Sequence, residues 1–297
     1  MKVAAPGKLL LTGAYAVLES APAIVVAVDR CAIADGDRVE NNPSAEVRAA
    51  FGAARAPVVD ASALHHEGAK LGLGSSAAVL VASMALEAAR TGADLRDGSV
   101  RRNLFERGRE AHAKVQSGGS GVDVAASVYG GVLRYELAGA RANLAPIDLP
   151  DGLSIACFFS GTSARTSDLR ARVDALRARD AGAYRARIGE LSLASHAAVE
   201  ACVANRLPHF MNAARAFAAA LASLGAAADA PIVTPAFAKL AARAQADGAA
   251  FFPSGAGGGD VAVHLGAPPS PDFVAAASSL GMRYIPFAID RDGVRAL

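Results

Sequence analysis

The chain has 297 residues, room for one large domain or two of ordinary size, and 53% hydrophobic against 20% charged residues rule out global disorder. Thirty basic and 28 acidic side chains leave a formal charge of +2, and 5% aromatics without tryptophan leave few stacking platforms, so no nucleic-acid partner is expected. Cys31, Cys157 and Cys202 are far apart and form no CxxC pair, which argues against a disulfide framework or a thiolate metal site and suits a reducing compartment.

In chain order, residues 2–5, 9–11, 23–28 and 31–34 read as short strands. Pro6-Gly7-Lys8 breaks the first apolar stretch, which tells against a secretory signal, and reads as a loop presenting one lysine. Residues 35–56 are polar and turn-rich around Asn41-Asn42-Pro43, and Pro57-Val58-Val59 returns to the sheet. Residues 75–90 form an almost wholly apolar helix, buried on most sides. A charged amphipathic helix follows over 99–115, capped by Asp97 or Ser99, and a strand over 132–135 closes this half.

Pro146 and Pro150 mark a boundary, giving domains over 1–150 and 151–297. Beyond it, strands are expected over 153–159, 249–252, 261–265 and 284–289. Arg-rich helices fill 167–224, with further helices from Thr234-Pro235 to Gly248 and over 271–280. The mixed order favours two α+β domains over a doubly wound sheet. No apolar run reaches the roughly 18–20 residues of a membrane span, so the chain reads as soluble and cytoplasmic.

Three glycine-rich segments carry the chemistry. Gly72-Leu73-Gly74-Ser75-Ser76-Ala77-Ala78 runs straight into the apolar helix. Unsatisfied N–H groups and the helix dipole favour an anion there, and the serine hydroxyls can meet phosphate or Mg²⁺. An ordinary helix start with a serine cap gives the same pattern, so both readings stand. A Walker A loop is excluded by the missing lysine, and a dinucleotide fingerprint lacks its upstream strand. Ser254-Gly255-Ala256-Gly257-Gly258-Gly259-Asp260 implies close backbone approach to a ligand or to the first loop, or else a flexible surface loop. In Ser117-Gly118-Gly119-Ser120-Gly121-Val122-Asp123, the aspartate is either a helix cap or a placed carboxylate. The arginines from Arg170 to Arg187 alternate with acids as a solvated face, and His65, His66, His196 and His209 lack metal-ligand spacing.

The order of these segments resembles the GHMP kinases. Ala5-Pro6-Gly7-Lys8 with Gly13-Ala14-Tyr15-Ala16-Val17-Leu18 is similar to their first motif, Gly72 to Ala78 to the second, and Ser254 to Asp260 to the third. Within that family the details are most similar to the phosphomevalonate kinases: Gly-x-Tyr-Ala-Val-Leu, Lys70-Leu71, Ala111-His112 with Gln116, Gly119 to Ala125, and the Ser/Thr segment from Ser160 to Leu169. Ala14 and Phe252 depart from the pattern, where Glu and Lys are common.

The resemblance implies an N-terminal mixed α/β nucleotide-binding domain and a C-terminal α+β, ferredoxin-like domain. It implies ATP at Lys70, Gly72, Leu73, Gly74, Ser75, Ser76, Ala77 and Gly257, and Mg²⁺ at Ser76 with Glu110, Glu106 in reserve. Asp123 and Lys8 become the catalytic pair, expected beside each other at the start of the Ser75 helix. Lys8, Tyr15, Ser120, Arg134, Ser163, Arg165, Thr166, Gly255 and Ala256 would bind the acceptor. By the same resemblance the expected acceptor is 5-phosphomevalonate, converted to the diphosphate, by a monomer or homodimer with no nucleic-acid or membrane partner. The alternatives are mevalonate kinase or another small-molecule kinase of the family. Behind them stand diphosphomevalonate decarboxylase, whose second motif lacks a glycine at the Gly74 position, and a non-catalytic metabolite sensor.

Overall fold

The structure is a computed structural model that describes residues 1–52, 55–116, 118–139, 141–163 and 166–297. Compactness divides the chain into two units, neither a single stretch. One comprises Met1–Leu9, Val25–Leu133 and Phe287–Leu297; the other comprises Leu10–Ile24 and Arg134–Pro286. A single cut at residue 150 therefore does not follow compactness. The C-terminal residues go with the first unit because Ala296 and Arg295 pair with Val3 and Ala4.

β1 (Lys2–Thr12), whose residues up to Leu9 belong to the first unit, is one continuous strand, and Pro6-Gly7-Lys8 lies inside it instead of forming a loop. Two contacts explain this. Ser127 Oγ donates to the Pro6 carbonyl at 2.7 Å, and the Lys8 N–H donates to the Leu73 carbonyl at 2.8 Å. Gly7 is required because a Cβ there would sit 2.7 Å from both Leu64 Cδ2 and the Leu73 oxygen. The strand thus runs directly against the glycine loop.

β2 (Ala23–Glu40) joins two expected strands into one, and β3 (Ala56–Asp60) pairs with it antiparallel across a register shift between Asp35 and Val39. Sheet order is β12 (Arg295–Ala296), β1, β2, β6 (Val132–Ala138) and β7 (Arg141–Pro146), so part of the expected boundary segment is strand. A short helix, α1 (Ala45–Phe51), replaces the expected irregular stretch; Ser44 caps it by accepting from the Val47 N–H, and Gly52 ends it.

The helix α2 (Ser75–Arg90) keeps its expected limits, with Ala77, Ala78, Leu80, Val81, Ala85 and Leu86 fully buried. Burying each large aliphatic side chain contributes about 1.5–3 kcal/mol. Then come α3 (Gly98–Val115), capped by Asp97, and α4 (Val122–Tyr129). Between α2 and α1 lies a small hairpin, β4 (His65–His66) with β5 (Ala69–Lys70).

The second unit has an antiparallel sheet ordered β11 (Arg283–Ile285), β8 (Ser154–Phe159), β10 (Val261–Gly266), β9 (Ala250–Pro253). With helices between β8 and β9 and between β10 and β11, this is the split β-α-β pattern of ferredoxin-like domains. The helices are α5 (Thr166–Arg179), α6 (Ala181–Val203), α7 (Leu207–Ala227), α8 (Pro235–Ala246) and α9 (Pro271–Ser279).

Phe158 centres the core of this unit, edge-on to Phe273 at 5.5 Å and to Phe251 at 6.0 Å. By length and composition α7 could cross a membrane, with mean hydropathy 1.2, although His209 and Arg215 interrupt its apolar run. Half of that stretch is buried within the fold.

Candidate active site

The glycine loop delivers an open helix start. Gly74 is the N-cap of α2 with φ of 75°, a left-handed conformation that glycine adopts without strain, and no side chain caps the helix. The first N–H groups of α2 consequently remain available to an anion. Leu73 and Ala77 are buried and offer only backbone, while Ser75 and Ser76 are half-buried.

Lys8 and Asp123 meet this start from two sides. A Cβ built on Gly74 would lie 3.1 Å from Lys8 Cγ and 3.5 Å from Asp123 Cβ. Lys8 Nζ donates to the Gly72 carbonyl at 3.2 Å. The expectation that lysine, aspartate and helix start come together is therefore met within one unit, 115 positions apart in sequence for the two side chains.

Asp123 is not a helix cap. Gly121, with φ of 77°, occupies the cap of α4, and Asp123 is the second helical residue. Its Oδ1 accepts from the Val124 N–H at 3.0 Å, and its Oδ2 lies 3.5 Å from His112 Nε2. Ser120 Oγ accepts from the Val122 N–H at 3.4 Å, so that serine shapes the turn before α4.

The carboxylate expected to join Ser76 is a different one. Glu110 is exposed and bonded to Lys114 of its own helix at 2.8 Å, with its carboxyl held down by that lysine. It sits about 200° round α3 from His112, on the other face. The reserve, Glu106, pairs with Arg109 at 3.7 Å.

The carboxylate that the structure brings to Ser76 is Glu46 of α1. It is 6% exposed and accepts from Gln116 Nε2 at 3.0 Å. Burial alone would push its carboxyl up; hydrogen bonds from its own N–H, Gln116 and Ser76, with the charge of His112, outweigh that and leave it below the usual range. The sequence signal was faint: Ser44 and Gly52 bracket a seven-residue helix too short to show periodicity. An oxygen pair from Ser76 and Glu46 suits Mg²⁺, which takes one or two protein oxygens and completes its shell with phosphate and water.

The remaining expected residues lie elsewhere in the chain. Lys70 is exposed on β5, two residues before Gly72. In the second unit, Tyr15 donates to the Ala256 carbonyl at 2.6 Å, with burial pushing its hydroxyl pKa up, and Ser254 Oγ accepts from the Leu10 N–H at 2.8 Å.

The glycines of the third motif approach protein, not open space. A Cβ on Gly257 would be 2.2 Å from the Ile232 oxygen, and Gly258 donates to that same oxygen at 2.9 Å. Phe252 is buried edge-on to Phe217 at 5.6 Å, and Ala14 is buried. Arg134 bonds Glu136 on its own strand at 3.0 Å. Ser163 and Thr166 are exposed, and Arg165 lies outside the described residues.

Comparison with known proteins gives this geometry relatives. Residues 61–131, which hold the glycine loop and Asp123, match the GHMP kinases N terminal domain. The phosphomevalonate kinase of Streptomyces sp. (strain CL190) is 28% identical, over 88% of this chain and 88% of that protein.

Among solved structures, the Lin0012 protein of Listeria innocua superposes with a TM-score of 0.85 at 21% identity, covering 99% of each chain. A Streptococcus pneumoniae phosphomevalonate kinase, in complex with phosphomevalonate and AMPPNP, superposes with a TM-score of 0.81 at 16% identity, covering 97% of this chain and 99% of that one. The fold is the α+β fold of the GHMP kinases.

Proposed function

We propose, from the premise that this chain carries a GHMP kinase N-terminal domain in a GHMP kinase fold, that it is an ATP-dependent small-molecule kinase. Its acceptor in this reading is 5-phosphomevalonate, its product the 5-diphosphate, and its setting soluble and cytoplasmic, serving isoprenoid precursor synthesis. The observation that carries the reading is the meeting of Lys8 and Asp123 at the uncapped start of α2.

Phosphoryl transfer asks a protein for alignment and charge neutralisation more than for covalent chemistry. The N–H groups opening α2, together with the Gly72–Gly74 backbone, hold the triphosphate tail. Ser76 and Glu46 are the residues that would hold Mg²⁺, which when bound neutralises charge on the phosphate oxygens. Asp123 accepts the proton of the attacking oxygen. Lys8 draws developing negative charge toward the same point. Ser163 and Thr166 are proposed for the acceptor's own phosphate, with Arg165 beside them in sequence.

The choice of acceptor leans on the Streptomyces relative and on the first-motif residues around Tyr15. A coupled ADP-release assay with Mg-ATP tests it against mevalonate, 5-phosphomevalonate and the 5-diphosphate. Turnover with 5-phosphomevalonate is expected. Turnover confined to mevalonate would instead make the chain a mevalonate kinase, and ADP release with none of the three would refute both.

A further inference from the structure

One face of α3 carries Gly108 and His112, and Gln116, the C-cap of the helix, continues the same spacing of four. That spacing stacks them along one side of the helix. Each meets a different neighbour. A Cβ on Gly108 would lie 3.0 Å from Val124 Cγ1, so the glycine lets α4 come close against α3. His112 Nε2 then faces Asp123 Oδ2 at 3.5 Å, and Gln116 bonds Glu46, which in turn bonds Ser76. Four helices contribute to one polar chain running from Ser76 through Glu46 and α3 to Asp123.

We infer that His112 is a positioning residue for Asp123, holding the carboxylate in the orientation from which it takes the acceptor's proton. The inference rests on the reading of Asp123 as that proton acceptor. Asp123 has two oxygens, and each is engaged from one direction: Oδ1 by the Val124 N–H, Oδ2 by His112. A carboxylate bonded at one oxygen and faced by an imidazole at the other is restricted in its rotation, and contacts of this kind tighten when the substrate arrives. An imidazole 9% exposed, beside a carboxylate and within reach of a second, is costly to bury unless its N–H groups are used.

The test is a double-mutant cycle on the full chain with Mg-ATP and 5-phosphomevalonate, reading kcat, KM for ATP and Tm. His112→Asn, too short to reach Asp123, should lower kcat about 10- to 30-fold with KM for ATP unchanged. His112→Gln, whose amide N–H reaches close to the Nε2 position, should recover kcat to within about threefold of wild type while losing as much Tm as His112→Asn. In the Asp123→Asn background, His112→Asn should change kcat by less than about twofold. Wild-type kcat in both His112 variants, or equal losses in the two backgrounds, overturns the inference while Asp123→Asn remains slow. Wild-type kcat in Asp123→Asn overturns the proton-acceptor reading and this inference with it.

Discussion

Two glycine-rich loops look alike in sequence and are used differently. At Gly74, the missing side chain leaves room for Lys8 and Asp123, and the backbone beyond it opens a helix with uncapped N–H groups. At Gly257, the missing side chain leaves room for the protein's own backbone, the Ile232 carbonyl. The first loop leaves a helix start open; the second is a tight internal seam beside Tyr15 and Ser254 anchors. Glycine content alone distinguishes neither. What occupies the space of the absent Cβ does.

That contrast predicts different failures. Gly257→Ala should cost the most stability, roughly 3 kcal/mol or more, since a Cβ would strike a carbonyl and the residue holds a φ of 83°. A drop in Tm would show it, and an unchanged Tm would mean the seam is loose. Lys8→Ala should lower kcat/KM about 10²-fold, on the order of 2.7 kcal/mol, with Tm nearly unchanged. Gly74→Ala should sharpen the comparison. Its φ of 75° costs alanine about 1 kcal/mol, but the new methyl crowds Lys8, so activity should fall by more than stability explains. Equal losses in both quantities would place Gly74 in the same class as Gly257.

The smallest effect concerns Glu46. Its carboxyl lies below the usual range in the folded chain, so its stabilising contribution is complete above the unfolded carboxyl's pKa and is lost as pH falls through the folded one. Glu46→Gln should lose about 1 kcal/mol at neutral pH and show a flatter fall in stability below about pH 4.5. A curve parallel to wild type through that range would mean Glu46 is solvated in the folded state.

Much of the molecule was legible beforehand because its signals are local. The limits of α2 follow from Gly74 and the apolar run, and Thr234 and Ser270 announce α8 and α9 by accepting from the Phe237 and Phe273 N–H groups. Two of the misreadings depend on distant partners. Pro6-Gly7 looks like a break until Ser127, 121 positions away, takes up the Pro6 carbonyl. Glu46 looks like a surface acid until Gln116, 70 positions away, bonds it. Glu110 is a local matter: it lies on the helix that carries His112, but helical periodicity turns it to the other face, where it pairs with Lys114. Lys8 and Asp123 were found through motif order, since neither residue's immediate neighbours reveal that they meet.

The central claim is that Asp123 takes the acceptor's proton at the start of α2. Single-turnover ADP formation by Asp123→Asn, with saturating Mg-ATP and 5-phosphomevalonate and with ATP binding measured alongside, tests it most directly. The account predicts intact nucleotide affinity and a rate lower by about 10²–10⁴. A wild-type rate in that variant would contradict it.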